Sequence, residues 1–356
     1  MDFGVDLPWI ISGIPAKTEL KAFSYFPDHI PVKSKAFSWK TRYDIIGIGG
    51  GIHIVDVEDF RNKLVDGINT EGFSAAALWL PTSVYPEPSA APADAKLVSA
   101  ADIVSWALSN YSEVKDLRKD LKLIAKGEPI TSGEKIAFWD PFQFHNGAVN
   151  YVPVHFQFHD KDGHSLVLEF KKGKMQITKN TKVGVMTNYP FIDWHLTNLE
   201  NYLAVTNVNV NKGKVVNLEL EALGNGNGTL GLSTSPTPPA RFVRVAKLLS
   251  FGTPWLQQLK EGEEDKAHAF AFNLLGNVQV LRLMCIDQEG KLSGDYTQWT
   301  LVRDHQHPHI LLRTGDTVDT YRIDFLKMIK DKPYYVPMKK FIETTVSTEL
   351  SAAAVN

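Results

Sequence analysis

The sequence predicts an α+β fold in which antiparallel sheets and helices pack in layers. Segments with strand character form blocks along the chain, and helical segments separate these blocks. Consecutive strand segments are joined by short turns, which is typical of antiparallel hairpins. No clear strand–helix–strand crossover of the kind that builds a parallel sheet is present, so a doubly wound fold is disfavoured.

The first hairpin is predicted near residue 70. Residues 64–68 and 73–80 are rich in apolar residues, and they flank Asn69-Thr70-Glu71-Gly72, which is typical of a tight turn. An earlier run, Gly47-Ile48-Gly49-Gly50-Gly51, lacks the Lys-Ser/Thr pair of a phosphate-binding loop, and no clear helix follows it. We therefore expect a flexible turn at residues 47–51.

Helices are predicted next. Ser99 and Asp102 have the spacing of a capping box, with Asp in place of the usual Glu or Gln. A second apolar stripe at helical spacing begins at Val114. The chain then returns to strands. Residues 152–158 and 165–170 flank a turn, and this pattern predicts a second hairpin.

The C-terminal half continues with helices and ends in strands. The predicted helices cover residues 191–202, 240–250 and 263–275, and the predicted strands cover residues 279–285, 296–303, 309–314 and 318–324. The only cysteine, Cys285, lies in the first of these strands and is predicted to be a buried structural thiol. A single cysteine forms no intramolecular disulfide, and it is compatible with the cytoplasm and with the periplasm.

The composition excludes several classes of partner. The chain has 356 residues, of which 44% are hydrophobic, and a formal net charge of −2. That balance argues against a nucleic-acid partner, which usually requires a basic surface. No apolar run reaches the roughly 18–20 residues that a membrane-spanning helix needs. We therefore expect no nucleic-acid partner and no membrane span, while the charge balance says little about a small-molecule ligand.

His305, His307 and His309 alternate along the chain, and on a strand they would share one face and could bind a metal. Pro308 interrupts that strand, so an exposed polar turn is the preferred interpretation. A metal-dependent hydrolase that uses these three histidines is kept as an alternative, and we otherwise expect no metal and no cofactor.

Two segments are candidates for a functional site. Thr187-Asn188-Tyr189-Pro190 leads from a strand end into a helix rich in Asn, Asp and His, and an Asn at such a turn can donate an amide N–H to an oxyanion. Arg241 opens a helix after a Pro-rich loop, where it could orient charge in a site. The alternatives are that Asn188 only closes the turn and that Arg241 is a surface residue.

Several segments, in this order, resemble the choloylglycine hydrolase/penicillin V acylase family of N-terminal-nucleophile hydrolases. They are Met1-Asp2-Phe3, the hairpin block 66–73, residues 187–190 with 193–202, Arg241-Phe242-Val243-Arg244 and, more weakly, residues 296–300 with Arg313-Thr314. The resemblance implies a four-layer αββα sandwich with two antiparallel sheets. It places a single domain at residues 1–325 and a C-terminal extension and tail at residues 326–356. It also implies a homo-oligomer, which is a tetramer in the family.

The resemblance further implies hydrolysis of a linear amide in an acyl-amide substrate. An N-terminal cysteine attacks the amide carbon and its own α-amine acts as the base. The implied site residues are Asp2, which orients the N-terminal residue, Asn188 as an oxyanion donor, Arg241 as the cation near the nucleophile, Trp79 through its backbone N–H, and Phe3, Tyr85 and Phe138 in an acyl pocket.

The aromatic Trp79 favours the penicillin V acylase side of the family. Penicillin V or an N-acyl homoserine lactone is therefore the expected substrate, and a bile-salt (choloylglycine) hydrolase is an alternative.

The family's cysteine precedes the Met-Asp-aromatic block, and this sequence has no residue before Met1. We therefore expect Met1 to be an internal methionine of a longer protein, and we expect the first strands of a central sheet to be missing. On that expectation the 356-residue chain is inactive. The competing hypothesis is a scaffold that binds acyl amides without catalysis.

Overall fold

The computed structural model describes residues 2–3, 8–23, 37–50, 60–140, 153–286 and 294–345, with only the backbone described at residues 2, 3 and 60. The strands are β1 (Asp2–Phe3), β2 (Ile10–Ile14), β3 (Glu19–Lys21), β4 (Ser38–Lys40), β5 (Ile45–Gly49), β6 (Leu64–Asn69), β7 (Ser74–Trp79), β8 (Lys96–Ser99), β9 (Ile136–Trp139), β10 (Val154–His159), β11 (Ser165–Lys171), β12 (Lys174–Lys179), β13 (Lys212–Val215), β14 (Leu218–Glu221), β15 (Tyr296–Thr297), β16 (Trp299–Asp304), β17 (His309–Thr314), β18 (Tyr321–Ile323) and β19 (Tyr334–Pro337). The α-helices are α1 (Ile103–Asn110), α2 (Val114–Ala125), α3 (Ile192–Asn198), α4 (Pro238–Leu256), α5 (Glu264–Gly276), α6 (Phe325–Met328) and α7 (Met338–Thr344).

An antiparallel sheet of eight strands organises the described part of the chain, in the order β12-β11-β10-β7-β6-β5-β2-β19. Successive side chains of a strand point to opposite faces. In β5, accordingly, Ile45 packs with the cluster under α1 and α2, whereas Ile46 and Ile48 pack with the cluster on the other face. Both faces of the central strands are therefore buried.

Four layers result from this burial. Helices α1 and α2 cover one face, where Trp106 and Leu117 join the core. The three-stranded sheet β16-β17-β18 lies on the other face through Trp299 and Leu312, and α5 packs against β16. The α+β class and the αββα sandwich with two antiparallel sheets are confirmed.

A buried asparagine fixes the hairpin between β6 and β7. The Asn69 amide donates to the carbonyl oxygens of Leu108 and Tyr111 at 2.9 and 2.8 Å, and its Oδ1 accepts from the Phe73 N–H at 3.1 Å. Gly72 completes the turn with φ of +77°, a conformation that favours glycine. The turn is thereby tied to the end of α1, and the predicted hairpin is confirmed.

The glycine-rich run at residues 47–51 is not the flexible turn that we expected, as far as it is described. Gly47 and Gly49 lie inside the buried strand β5. A Cβ atom at Gly47 would stand 2.5 Å from the Asp66 carbonyl oxygen, so the glycine permits close approach of β6. The interleaved isoleucines supply the strand's side-chain packing.

The predicted strand at residues 279–285 was wrong. Residues 282–285 form turns and bends, and Leu281 and Leu283 are more than half exposed. No described strand pairs with this segment, and an apolar run forms a strand only with a partner. Arg282 instead contacts the Tyr296 ring at 3.8 Å and Asp316 at 2.8 Å. Cys285 is only partly buried, which corrects the expectation of a buried thiol.

The capping box predicted for α1 does not form. The Ser99 hydroxyl donates to Asp102 at 2.6 Å, and neither side chain caps the helix. The Asp102 carboxylate is fully buried and pairs with the Lys63 ammonium, while it also accepts from the Phe23 N–H. A tertiary ion pair has taken the place of the local cap.

The chain beyond residue 325 contributes to the main sheet. Strand β19 pairs with β2, with Val336 opposite Ile11, and α7 buries Phe341 in the same core. The division of the domain at residue 325 stays a prediction. Among the described helices, none combines the length and apolar character needed to cross a bilayer.

Candidate active site

A cavity of about 390 Å³ opens between the eight-stranded sheet and helix α4. Its wall is formed by Asp66 of β6, residues 76–79 of β7, two residues of β10, residues 184–188, one side of α4 between Arg241 and Leu249, residues 275 and 278–279, and strands β15 and β16. Polar side chains on this wall include Asp66, His159, Asn188, Arg241 and Arg303. The cavity combines apolar walls with a few convergent polar groups, which is typical of small-molecule sites.

The Asn188 side chain is held at both ends. Its Nδ2 donates to the Trp79 carbonyl oxygen at 2.8 Å, and its Oδ1 accepts from Arg241 Nη2 at 2.7 Å. Because the arginine fixes the amide oxygen, the NH₂ group has a fixed direction. One of its two hydrogens is used by Trp79, and the second is available to an acceptor at the cavity wall.

Trp79 ends strand β7 at the mouth of the cavity, with 39% of its side chain exposed. In an extended strand the N–H and C=O of one residue point to the same edge. Since the Trp79 carbonyl oxygen faces Asn188, its N–H lies on the edge that faces Asn188 as well. Trp79 therefore contributes to the site in two ways, through its indole ring and through its backbone N–H.

Arg241 stands in the first turn of α4, where its N–H donates to the Thr237 carbonyl oxygen at 3.0 Å. Pro238 opens the helix with a fixed φ, which suits a first helical position. On the same helix, Arg244 is 8% exposed and donates from Nε to the Asn277 carbonyl oxygen at 2.7 Å. Arg244 thus ties α4 to the end of α5, while Arg241 faces the cavity.

A buried polar cluster supports the segment that carries Asn188. His195 Nε2 lies 3.1 Å from the Asn188 carbonyl oxygen, and its ring stacks on Phe242. A carbonyl oxygen only accepts, so Nε2 carries the proton. Burial lowers the pKa of His195, which keeps the ring neutral.

Beneath His195, Glu169 Oε1 accepts from the Ile192 N–H at 3.0 Å and lies 3.0 Å from His155 Nδ1. The carboxylate therefore stands at the N-terminus of α3, where a negative charge is favoured. Strands β10 and β11 bury apolar side chains in the core under α1 and α2, so His155 and Glu169 lie on the opposite face of the sheet, toward α3.

The floor of the cavity carries an ion pair. Arg303 Nη1 donates to Asp66 Oδ1 at 2.5 Å. Burial raises the pKa of the Asp66 carboxyl, and the Arg303 guanidinium opposes that rise. His159 also lines this region, and burial together with Arg303 lowers the pKa of His159 to about 3. The histidine is therefore neutral near pH 7.

The backbone of Asp2 lies beside the cavity, because Asp2 pairs with Thr297 in the short sheet of β1 and β15, and Thr297 lines the wall. Phe3 pairs with Tyr296. The side chains of Asp2 and Phe3 lie outside the described residues, so the roles expected of them stay predictions.

The structure does not bring Tyr85 and Phe138 to the cavity. Tyr85 stacks on Phe170 with ring centroids 4.1 Å apart, and its hydroxyl donates to the Val154 carbonyl oxygen. Phe138 packs edge-on against Trp106 at 5.4 Å. Both rings are buried in the core under α1 and α2, with exposed fractions of 1% and 3%. Their assignment to an acyl pocket stays a prediction.

Sequence reasoning missed Asp66, Arg303 and His159. The sequence did carry a signal for Arg303. Trp299, Leu301 and Arg303 alternate along β16, which places them on one face of the strand, and all three line the cavity. No sequence pattern indicated that Arg303 would meet Asp66, which lies 237 residues earlier in the chain.

The predicted turn at residues 304–308 is present, but the three histidines do not share one face. His305 Nδ1 lies 2.8 Å from the Gly72 carbonyl oxygen, His307 is exposed, and His309 is buried at the start of β17. The expectation of a wholly exposed turn is therefore corrected for His309.

The arrangement can stabilise a developing oxyanion with fixed N–H donors beside a cationic guanidinium. Cys285 is not among the residues that line the cavity.

The chain is similar to known proteins of one family. Residues 1–331 match the family model described as linear amide C–N hydrolases, choloylglycine hydrolase family. The bile salt hydrolase/transferase of Clostridium perfringens is 29% identical over 269 residues, which cover 75% of this chain and 72% of that protein. A penicillin V acylase of Pectobacterium atrosepticum is 26% identical over 168 residues, which cover 46% of this chain and 39% of that protein.

Solved structures show the same fold. A mutant form of the conjugated bile acid hydrolase from Clostridium perfringens has a TM-score of 0.73 and 26% identity, over 94% of this chain and 91% of that chain. A penicillin V acylase from Agrobacterium tumefaciens has a TM-score of 0.67 and 19% identity, over 95% and 86% of the two chains. In sequence, the match to the bile-salt enzyme is longer than the match to the penicillin V acylase of Pectobacterium atrosepticum.

Proposed function

The chain belongs to the choloylglycine hydrolase family of linear amide C–N hydrolases, and from this premise we propose that it is built to cleave a linear amide in an N-acyl compound, with penicillin V or an N-acyl homoserine lactone as the substrate. The observation that carries the proposal is the Asn188 amide, which Arg241 and the Trp79 carbonyl oxygen hold at the cavity wall. A donor fixed before the substrate arrives stabilises the transition state without reorganising.

In the proposed reaction, a thiolate attacks the carbonyl carbon of the amide and forms a C–S bond. The carbonyl electrons move to the oxygen, which accepts hydrogen bonds from Asn188 Nδ2 and the Trp79 N–H. The tetrahedral intermediate collapses, the C–N bond breaks, and the amine leaves with a proton from the α-ammonium of the nucleophilic residue. Water then hydrolyses the thioester, which releases the acid and restores the thiol.

Asp2 and Arg241 take supporting roles in the proposal. Arg241 places a positive charge near the nucleophile, and a nearby cation favours a thiolate over a thiol. Asp2 orients the nucleophilic residue, and the pairing of its backbone with Thr297 at the cavity wall supports this assignment.

The nucleophile in this proposal is an N-terminal cysteine ahead of the Met1-Asp2-Phe3 block, as the family's order implies. Cys285 is the only cysteine in the sequence, and it carries no free α-amine to act as the base. The competing proposal is a scaffold that binds acyl amides without turning them over.

A second candidate is hydrolysis of choloylglycine and related bile salts. It is favoured by the longer match to the bile salt hydrolase/transferase of Clostridium perfringens. Trp79, which lines the cavity of about 390 Å³, supports the first candidate, because an aromatic residue at this position resembles the penicillin V acylase side of the family.

The test compares two proteins expressed from the natural gene, one starting at Met1 and one including the preceding codons. Release of the free amine is measured with penicillin V, an N-acyl homoserine lactone and choloylglycine. We expect turnover only in the longer protein, lost when its N-terminal cysteine is changed to alanine, and faster with penicillin V than with choloylglycine. Absence of amide hydrolysis in a longer protein that carries the cysteine would overturn the proposed activity, and preference for choloylglycine would select the second candidate.

A further inference from the structure

Three potential metal ligands converge at the turn between β16 and β17, outside the candidate active site. His268 comes from α5, Asp304 ends β16 and His309 begins β17. Each residue offers one ligand atom, and these atoms lie within 4.8 Å of one another. The rings of His268 and His309 stand at 90°, with their centroids 5.4 Å apart. Three separate elements therefore contribute to one cluster.

His309 has one ring nitrogen in use and one without a partner. Its side chain is 2% exposed, and Nδ1 lies 2.6 Å from the His307 carbonyl oxygen, to which it must donate. Nε2 is then an unprotonated lone pair, and it has no hydrogen-bond partner among the described residues. A ring that donates one N–H to a backbone carbonyl and directs the other nitrogen into a cluster has the orientation typical of a metal ligand.

The two carboxylate oxygens of Asp304 have different partners, as the two ring nitrogens of His309 do. Oδ1 accepts from the N–H groups of Gln306 and His307 at 2.9 and 2.8 Å. Oδ2 lies 2.9 Å from His268 Nε2. The backbone thus orients the carboxylate, while its second oxygen faces the two imidazoles.

We propose that His268, Asp304 and His309 form a binding site for a divalent cation of the zinc class, with water in the fourth position. Two imidazole nitrogens and one carboxylate oxygen are a donor set that suits zinc. Ligand atoms around a tetrahedral zinc ion lie about 3.4 Å apart, and the three atoms here lie within 4.8 Å of one another, so no pair has to close by more than about 1.4 Å. Side-chain rotation of His268, which is 14% exposed, can supply this movement.

The ion would fasten α5 to the β16–β17 turn. Arg303, which precedes Asp304 in β16, pairs with Asp66 at the floor of the cavity. Metal binding would therefore fix the strand end that carries Arg303, without placing the ion in the reaction.

A second cluster, Asp160, Asp162 and His164, serves as the control. Both oxygens of Asp160 are already used, Oδ2 by the Val114 N–H at 2.9 Å and Oδ1 by the Asp162 N–H at 3.1 Å. That carboxylate closes a hairpin turn, and both of its oxygens already accept backbone N–H groups, whereas only one oxygen of Asp304 does.

The experiment titrates the chelator-treated full chain with zinc chloride by calorimetry and records the visible spectrum with cobalt(II). The variants are His268→Gln, His309→Gln and the control His164→Gln. We expect one zinc ion per wild-type and H164Q chain, a tetrahedral cobalt spectrum, and at least about tenfold weaker binding in H268Q and H309Q.

Two results would contradict the proposed metal site. Absence of saturable zinc binding in the wild-type chain, or unchanged affinity in H268Q, would overturn the proposal. Because His309 is buried, H309Q is interpreted only if its circular dichroism spectrum is native; otherwise H268Q, at a partly exposed position, decides alone. The melting temperature with and without zinc gives a readout that is independent of hydrolysis.

Discussion

Arg241 donates a hydrogen bond to Asn188 Oδ1 at 2.7 Å across 53 residues of chain. The bond joins the first turn of α4 to the segment before α3, so the two halves of the candidate site are fixed relative to each other. It also determines which end of the Asn188 amide faces the cavity, since a guanidinium has no acceptor and can bind only the oxygen.

Asn188→Ala removes the proposed oxyanion donor. In the form of the protein that carries the nucleophile, we expect kcat for amide hydrolysis to fall about 10²–10³-fold with little change in KM. Steady-state kinetics measure this, and Asn201→Ala is the matched control because Asn201 is an exposed asparagine in the following turn. Equal loss in both variants would contradict the assignment of Asn188.

His195 is expected to act as a positioning residue for Asn188. His195→Phe keeps a ring to stack on Phe242 but loses the donor to the Asn188 carbonyl oxygen. We expect kcat to fall about tenfold, the loss of one buried hydrogen bond, whereas His195→Gln, which retains an N–H donor, should recover most of it. If H195F and H195Q behave alike while both stay folded, the hydrogen bond has no positioning role.

Binding of an acyl amide should quench the fluorescence of Trp79. The indole lines the cavity and is 39% exposed, so a ligand there changes its surroundings. Titration of the 356-residue chain with penicillin V is expected to give saturable quenching that disappears in Trp79→Phe. Trp255→Phe is the control, because Trp255 is 44% exposed and does not line the cavity. Quenching that survives in W79F would place the ligand elsewhere.

Acid should destabilise the protein partly through His159. Its folded pKa of about 3 lies below the ordinary value of 6.5, so below pH 6.5 the unfolded chain binds a proton that the folded chain does not. Stability therefore falls as pH falls through this window. Between pH 7 and pH 5 we expect wild type to lose about 1–2 kcal/mol more than His159→Gln, measured by urea unfolding.

The control for that measurement is His164→Gln, at the turn of the same hairpin, where 42% of the side chain is exposed. Identical pH dependence in wild type and H159Q would show that His159 takes up its proton equally well in the folded chain.

Asp102→Asn should destabilise the fold strongly. The carboxylate is fully buried against the Lys63 ammonium, and its loss leaves that charge without a counter-ion in the core. We expect a cost of about 3–5 kcal/mol in the free energy of unfolding. The control Glu221→Gln breaks the pair with Lys212, whose side chains are 74% and 79% exposed, and should cost less than about 1 kcal/mol. Similar costs would mean that burial of the Lys63 pair adds nothing.

The layers and both hairpins could be predicted from the sequence because alternation and turn residues are local signals. Asn188 and Arg241 were found through residue blocks, and the structure brings them into contact. Strand β5 was missed because a glycine-rich run predicts a turn when only neighbouring residues are considered. At Gly47 the glycine instead allows close approach of the neighbouring strand. Tyr85 and Phe138 are buried in the core under α1 and α2, and local sequence carries no signal for which face of a sheet an aromatic ring lies on.

The pairing of β19 with β2 can form only late in synthesis. Val336 leaves the ribosome 325 residues after its partner Ile11, an interval of roughly 16–65 s at about 5–20 residues per second. During that interval the outer edge of β2 presents unpaired backbone groups, a template for association with other chains. The nascent protein is therefore prone to association through this edge until β19 has been synthesised, and a chaperone would protect the edge during that time.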